Sequence, residues 1–200
     1  MLPIVRIVVL DTGPLITLAA ADALDYLRYP MVPVLIPDAV FYEATVKHGA
    51  LGAADLVDWA QTNAGAVQIV PTAAFADVAA RIDVDRPFRQ KDLGERAALE
   101  VIKDVLTEEA LETAVFLIED QGAIRQISAY PRPGQIIPIS TTDFLRLLEE
   151  EGRINSADAV LRAAEDAGRF ASRMELLKDT HERGVTAVRA VLKRADDTEI

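Results

Sequence analysis

Acidic side chains directly follow two apolar runs of the chain. Asp11 follows the β-branched run Val5–Leu10, and Glu119 and Asp120 follow the run Ala114–Ile118. Asp is common in turns, so each acid taken alone is compatible with ordinary turn chemistry. Carboxylates that converge repel one another unless a cation lies between them, and oxygen-only ligand sets suit Mg²⁺ or Mn²⁺. The pattern therefore raises the hypothesis of a carboxylate-bound divalent ion.

Two further acids lie in segments that the apolar periodicity predicts to be helical. Glu43 falls inside an amphipathic helix, where a solvated face is the simpler interpretation. Glu95 follows Asp92 at capping-box spacing, and its charge suits the positive end of a helix dipole. Neither residue indicates a site by itself, so a shared site requires a fold that brings the acids together.

Such a site would support metal-assisted hydrolysis without histidine or cysteine. One or two divalent ions can activate water and stabilise the charge that develops during in-line attack on a phosphodiester. The chain has no cysteine, which excludes disulfides and thiolate metal sites. Its two histidines, His48 and His181, fall in polar contexts and are expected at the surface.

Strands are predicted to alternate with helices along most of the chain. The predicted strands are Val5–Leu10, Val32–Ile36, Val67–Val70, Ala114–Ile118 and Ile136–Ile139. The predicted helices cover residues 14–27, 38–47, 51–62, 72–82, 92–106, 121–129 and 144–150, and most of 155–194 with breaks near Gly168 and Gly184. This order favours an α/β fold of three layers, α/β/α, with a mostly parallel central sheet. In such sheets the functional crevice lies at the carboxyl ends of the strands, where Asp11 and Glu119 are expected.

The composition fits one globular domain, predicted over residues 1–150, with a helical C-terminal extension over residues 151–200. Half of the residues are hydrophobic. No apolar run approaches the roughly 20 residues of a membrane-spanning helix. Since no basic segment precedes the N-terminal apolar run, no signal peptide is expected and the cytoplasm is the expected compartment.

The charge is unevenly distributed along the chain. The net charge is −11, and residues 1–150 carry 12 basic and 22 acidic residues, a net of −10. An acidic body repels nucleic acid at long range, which counts against a general nucleic-acid binder with a broad basic face. The densest basic cluster lies between residues 81 and 96 and consists of Arg81, Arg86, Arg89, Lys91 and Arg96.

Five segments, in order, resemble landmarks of the PIN-domain family. Val8–Leu27 (VVLDTGPLITLAAADALDYL) resembles the opening of the family, and Ile36–Thr45 (IPDAVFYEAT) is similar to its Pro-x-x-Val-x-x-Glu segment. Asp92–Val101 (DLGERAALEV) resembles the Leu-Gly-Glu-x-x-Ala helix of a subgroup. Val115–Arg125 (VFLIEDQGAIR) resembles the strand that ends in an acid pair, and Ile137–Leu145 (IPISTTDFL) looks like the strand and helix start that follow.

The resemblance covers residues 5–150 and implies a metal-dependent ribonuclease that uses water as the nucleophile. The metal ligands it implies are Asp11, Glu43, Glu95 and Asp120, with Glu119 as the alternative fourth acid. The residues it suggests for orienting these carboxylates are Thr12, Asp92, Ser140 and Thr141. The basic cluster can be explained as a surface that only keeps the protein in solution, or as a surface that binds RNA. In the second interpretation the RNA-backbone contacts would come from Arg86, Arg89, Lys91 and Arg96.

Many members of the family are VapC-like toxins that a small antitoxin inhibits, and many form dimers, so the resemblance implies both partners. The alternative is a catalytically silent PIN-like binding or scaffold module. A receiver domain would need a later strand-end Lys, and a haloacid-dehalogenase-like phosphatase would need Asp-x-Asp, whereas Thr12 and Gly13 follow Asp11.

From the sequence, Asp11→Asn is expected to abolish RNA cleavage and to leave the thermal melt near wild type.

Overall fold

A computed structural model of the protein describes residues 4–9, 11–46, 51–82, 93–107, 111–119, 136–170, 182, 184–190 and 192–193. Its sheet contains β1 (Ile4–Val9), β2 (Val34–Pro37), β3 (Val67–Val70), β4 (Leu111–Ile118) and β5 (Ile136–Ser140). The strand order is β3-β2-β1-β4-β5, and every neighbouring pair is parallel. The predicted parallel sheet is confirmed.

Helices connect β1 to β2, β2 to β3 and β3 to β4, as is usual between parallel strands. The α-helices are α1 (Thr12–Ala20), α2 (Asp38–Val46), α3 (Ala53–Thr62), α4 (Ala73–Ile82), α5 (Leu93–Thr107), α6 (Thr141–Glu150) and α7 (Ala157–Asp166). A short 3-10 helix covers Leu24–Arg28, and residues 184–190 are also helical. The predicted loop 83–91 and helix 121–129 lie outside the described residues. Within the described part of the chain, no helix is long and apolar enough to cross a membrane.

Side chains on both faces of the sheet are buried, which produces three layers. Along β1, Ile7 and Val9 belong to a core shared with α1, α6 and α7, whereas Val8 belongs to a second core built against α5. Phe116 of β4 is completely buried in the second core. Burying a side chain of this size contributes roughly 1.5–3 kcal/mol. The alternation along the strands therefore confirms the predicted α/β/α layering.

Helix α1 ends seven residues earlier than the periodicity predicts. Asp22 has a left-handed backbone (φ 53°), and its amide donates to the carbonyl of Ala19 (3.1 Å). The next amide, of Ala23, donates to the carbonyl of Leu18 (2.8 Å). These two bonds form the helix-ending motif that usually carries glycine at the left-handed position. Asp occupies that position here, so the sequence offered no glycine stop signal.

The described C-terminal helices pack into the same core as the sheet. Buried members of this core are Ala157, Val160, Leu161, Val188 and Leu192. Gly168, with φ 95°, follows the end of α7 at one predicted break. Gly184 is itself helical and lies against β5, where an added Cβ would approach the carbonyl of Pro138 to 2.8 Å. The division of the chain at residue 150 stays a prediction.

Candidate metal centre

The carboxyl ends of β1 and β4 meet where the sheet changes direction. From β1 the chain moves outward to β2 and β3 on one side, and later to β4 and β5 on the other. Ligands of open parallel sheets bind in the crevice at such a switch point. The strand register pairs Val9 with Leu117, so Asp11 and Glu119, each two residues further on, emerge side by side.

Asp11 links the start of α1 to the end of β4. Its backbone is extended (φ −139°, ψ 169°), and its Oδ1 accepts a hydrogen bond from the amide of Gly13 (2.6 Å), which caps α1. Its Oδ2 accepts a second hydrogen bond from the amide of Glu119 (2.7 Å). Asp11 therefore has the capping role expected of a strand-end Asp, and it also fixes the neighbouring strand end.

The Glu119 side chain lies at the same point and is 5% exposed. Its Oε2 accepts a hydrogen bond from the Thr17 hydroxyl (3.4 Å) and forms an ion pair with Nη2 of Arg169 (3.2 Å). Its Oε1 is buried and has no hydrogen-bond partner among the described residues. The two oxygens of this carboxylate therefore have different surroundings, one held by protein groups and the other buried without a hydrogen-bond partner among the described residues.

Gly13 lies between the two carboxylates. A Cβ at this position would lie 2.6 Å from Oε2 and 2.8 Å from Cβ of Glu119, and 2.8 Å from Oδ1 of Asp11. Any side chain would therefore separate the acids or displace them. The absence of a side chain at residue 13 is what allows Asp11 and Glu119 to approach each other.

The surroundings of Glu119 disfavour its charged form. Burial raises the pKa of Glu119 above its ordinary value of 4.5, and repulsion by Asp11 raises the pKa further. The hydroxyls of Thr141 and Thr17 and the guanidinium of Arg169 lower the pKa without reversing the shift. The Thr141 hydroxyl lies close enough to Glu119 to lower its pKa. Neither this hydroxyl nor Oε1 of Glu119, however, makes a well-formed hydrogen bond to a described residue.

Glu119→Gln is expected to raise the melting temperature of the metal-free protein at neutral pH. Since the pKa is higher in the folded than in the unfolded protein, stability falls as the pH rises from the unfolded value of 4.5 through the folded value. Gln imitates the protonated acid, so its advantage should disappear below the unfolded pKa. Melting curves in chelator across this range measure the effect, with the exposed Asp77→Asn as a control that should show no such gain. A lower melting temperature for Glu119→Gln at neutral pH would contradict this expectation.

Glu43 lies where α2 packs against the first turn of α5. Its Oε2 is 3.2 Å from the position that a Cβ on Gly94 would occupy. Because Gly94 has no side chain, the Glu43 carboxylate can approach the start of α5, where Glu95 directly follows Gly94. Helix α2 leaves the carboxyl end of β2, the neighbour of β1, so the helix that carries Glu43 begins at the same edge of the sheet as Asp11. Within the described ranges, no group of three acids is close enough to hold one ion.

The remaining predicted residues fall into three groups. Those outside the described part of the chain are Asp120, Asp92, Arg86, Arg89 and Lys91. Arg96 is exposed on α5, and Thr12 is the half-buried first residue of α1. The Ser140 hydroxyl accepts from the amide of Asp143 (3.0 Å) and so caps α6, whereas Thr141 is fully buried beside Glu119.

Sequence reasoning missed three residues that shape this site. Arg169 and Thr17 contact Glu119 from 50 and 102 positions away in the chain, and no motif or periodicity connects such distant residues. Gly13 carried a signal, because glycine is unfavourable in a helix and this one lies in the first turn of α1. The sequence pattern by itself is equally compatible with a simple turn at Thr12, Gly13 and Pro14.

A parallel α/β/α sheet with acids on both strands of its switch point defines a class of proteins whose site lies at the carboxyl edge. A family model described as a PIN domain matches residues 7–182. The chain therefore belongs to the PIN-domain family, whose fold is of the nuclease type. The match includes α7 as well as the sheet. No protein of curated function and no solved structure matches the chain.

Proposed function

We propose that this chain is a divalent-metal-dependent endoribonuclease, a hydrolase that cuts RNA phosphodiester bonds at the carboxyl edge of the sheet. The observation that carries the proposal is the close approach of Asp11 and Glu119 at the switch point, where Gly13 lies between their carboxylates. Placing a second carboxylate against the buried Glu119 is unfavourable unless a cation compensates the pair. Helix capping explains the position of Asp11 but not the second acid beside it, whereas a hydrolytic metal site would explain both acids.

The residues present fit a hard divalent ion. The donors are carboxylate and hydroxyl oxygens, which suit Mg²⁺ or Mn²⁺, and the buried Oε1 of Glu119 has no partner among the described residues. The proposed ligands are Asp11, Glu43, Glu95 and Asp120, with Glu119 as the alternative fourth acid. A bound ion would supply activation of water and stabilisation of the charge that develops on the phosphate.

The protein groups around this position have separable tasks. Asp11 is held by two backbone amides, so its carboxylate is oriented before any substrate arrives. In the metal-free protein burial raises the pKa of Glu119, and its carboxylate is proposed to accept the proton of an attacking water. Ser140 is committed to capping α6, whereas the buried hydroxyl of Thr141 lies beside Glu119.

RNA binding is proposed to depend on a local basic surface. The first 150 residues carry a net charge of −10, so a general attraction to RNA is absent. We assign backbone contacts to Arg96, which is exposed, and to Arg86, Arg89 and Lys91. A small antitoxin, a homodimer and a cytoplasmic setting are parts of the same proposal, which the membership of the PIN-domain family supports.

A catalytically silent binding module is the second candidate. The ion pair between Arg169 and Glu119 favours it, because a protein cation already compensates the buried carboxylate of Glu119. The two candidates differ in turnover rather than in fold, so they are separated by an assay for cleavage.

Purified protein should cleave labelled single-stranded RNA when Mg²⁺ or Mn²⁺ is present. EDTA should stop the reaction, and excess Mn²⁺ should restore it. Single-stranded DNA of the same sequence serves as the substrate control. Chelator-resistant cleavage would contradict the metal-dependent mechanism, and absence of cleavage with either ion would favour the silent module.

A further inference from the structure

We infer that Arg169 is a positioning residue for Glu119: it holds Oε2 on the protein side and leaves Oε1 as the oxygen that an ion can take. This inference rests on the proposed metal-dependent function and assigns part of the site to the C-terminal segment. Arg169 lies beyond α7, 50 residues after the acid that it contacts.

The contacts around Oε2 form a closed triangle. Nη2 of Arg169 donates to Oε2 of Glu119 (3.2 Å), and Nε of Arg169 donates to the hydroxyl of Thr17 (3.3 Å). The Thr17 hydroxyl in turn donates to Oε2 (3.4 Å). Two nitrogens of one planar guanidinium therefore donate hydrogen bonds to two different residues. This geometry fixes the orientation of the Glu119 carboxylate in a way that a single ammonium cannot.

The triangle is sheltered from solvent. The Glu119 side chain is 5% exposed, the Arg169 side chain is 27% exposed, and Thr17 is completely buried. Salt and side-chain motion weaken exposed ion pairs, but they act much less on a pair in such surroundings. Since Oε2 is held here, rotation of the carboxylate is restricted and Oε1 keeps one position.

The end of α7 sets the place of Arg169. Gly168 adopts φ 95°, and its amide donates to the carbonyl of Glu165 (2.9 Å). The amide of Arg169 donates to the carbonyl of Ala164 (2.9 Å), which completes the helix-ending motif. Val160 and Leu161 of α7 are buried in the core shared with α1, so the helix that presents the arginine packs beside the helix that carries Thr17.

Titration of the full chain with MnCl₂ by isothermal calorimetry tests the inference. Arg169→Gln should weaken Mn²⁺ binding about tenfold, because loss of a group that orients a metal ligand typically has effects of that size. Arg169→Lys keeps the charge but cannot span both partners, so its Kd should lie between those of the wild type and Arg169→Gln. If Arg169→Gln does not fold, the lysine variant alone decides.

Arg189→Gln is the matched control. Arg189 is a C-terminal arginine that pairs with Glu151 (2.5 Å) and Glu150 (2.8 Å), so its loss should lower the melting temperature and leave the Kd within twofold of wild type. An unchanged Kd in both Arg169 variants, or a tighter one, would overturn the positioning role while the proposed nuclease stands. A wild-type chain that binds no Mn²⁺ would overturn the proposed function and this inference together.

Discussion

Asp11→Asn is expected to reduce RNA cleavage by roughly 100- to 1000-fold, because metal-assisted charge stabilisation is worth several kcal/mol in the transition state. The substitution removes the negative charge that would hold the proposed ion and replaces one oxygen by an amide nitrogen. The measurement is kcat/KM on labelled RNA at saturating Mn²⁺, with the Kd for Mn²⁺ measured separately. Wild-type turnover in this variant would exclude Asp11 from the site.

The same variant is also expected to melt below the wild type, in contrast to the near-wild-type melt expected from the sequence alone. Both Asp11 oxygens accept backbone hydrogen bonds, and Asn offers only one acceptor oxygen. The amide of Gly13 or of Glu119 would then face an N–H group, which costs about 1–3 kcal/mol. For a chain of this size, each kcal/mol lowers the melting temperature by roughly 2–4 °C.

Asp38→Asn is the control that separates instability from loss of activity. Asp38 Oδ1 accepts from the Thr72 hydroxyl (2.7 Å) and the Ala39 amide (2.8 Å), and Oδ2 accepts from the Thr72 amide (2.9 Å). This acid stands at the carboxyl end of β2 and joins it to the end of β3. Its amide variant should lose similar stability and keep RNA cleavage. Equal loss of cleavage in both variants would assign the Asp11 effect to unfolding.

Gly13→Ala is expected to be destabilising by about 1–3 kcal/mol, the usual range for overpacking a filled position. Helix propensity alone predicts a gain of roughly 0.5–1 kcal/mol at a helical glycine, so the sign of the change is diagnostic. The added Cβ would collide with Oε2 of Glu119 at 2.6 Å and with Oδ1 of Asp11 at 2.8 Å. Displacement of these oxygens should weaken Mn²⁺ binding about tenfold or more without the removal of any acid.

Gly65→Ala provides the comparison for Gly13→Ala. Gly65 lies in an exposed turn, and an added Cβ would meet nothing within 4 Å. This variant should be neutral or slightly stabilised and should bind Mn²⁺ like the wild type. Thermal melts and Mn²⁺ titrations of the two alanine variants, run side by side, measure both effects. A Gly13→Ala protein as stable as Gly65→Ala would contradict the close approach of the two acids.

The sequence predicted the sheet well because each strand is a local feature. Ala114–Ile118 is apolar on both faces, and such runs belong to parallel strands covered by helices on both sides. Asp11 was placed correctly at a strand end for the same local reason. The end of α1 was missed because Asp22 takes a left-handed conformation that glycine usually signals.

The composition of the site was only partly predictable. Sequence reasoning placed Glu119 and Asp120 at one strand end, and neighbouring residues there are hard to tell apart without side-chain positions. The structure brings Glu119 beside Asp11, while Asp120 lies outside the described residues and its role stays a prediction. Arg169 could not be foreseen, because its contact depends on how α7 packs against α1.

The two hydrogen bonds of Asp11 bear on how this chain could change over generations. Because its carboxylate caps α1 and holds the end of β4, a descendant without the proposed nuclease activity would still be selected to keep Asp11 for folding. Glu119 faces the opposite pressure, since its buried charge lowers the stability of the metal-free chain at neutral pH. A lineage that lost the proposed activity should therefore change first at residue 119. Replacement of Glu119 would then be a clearer sign of lost ion binding than a retained Asp11 is of activity.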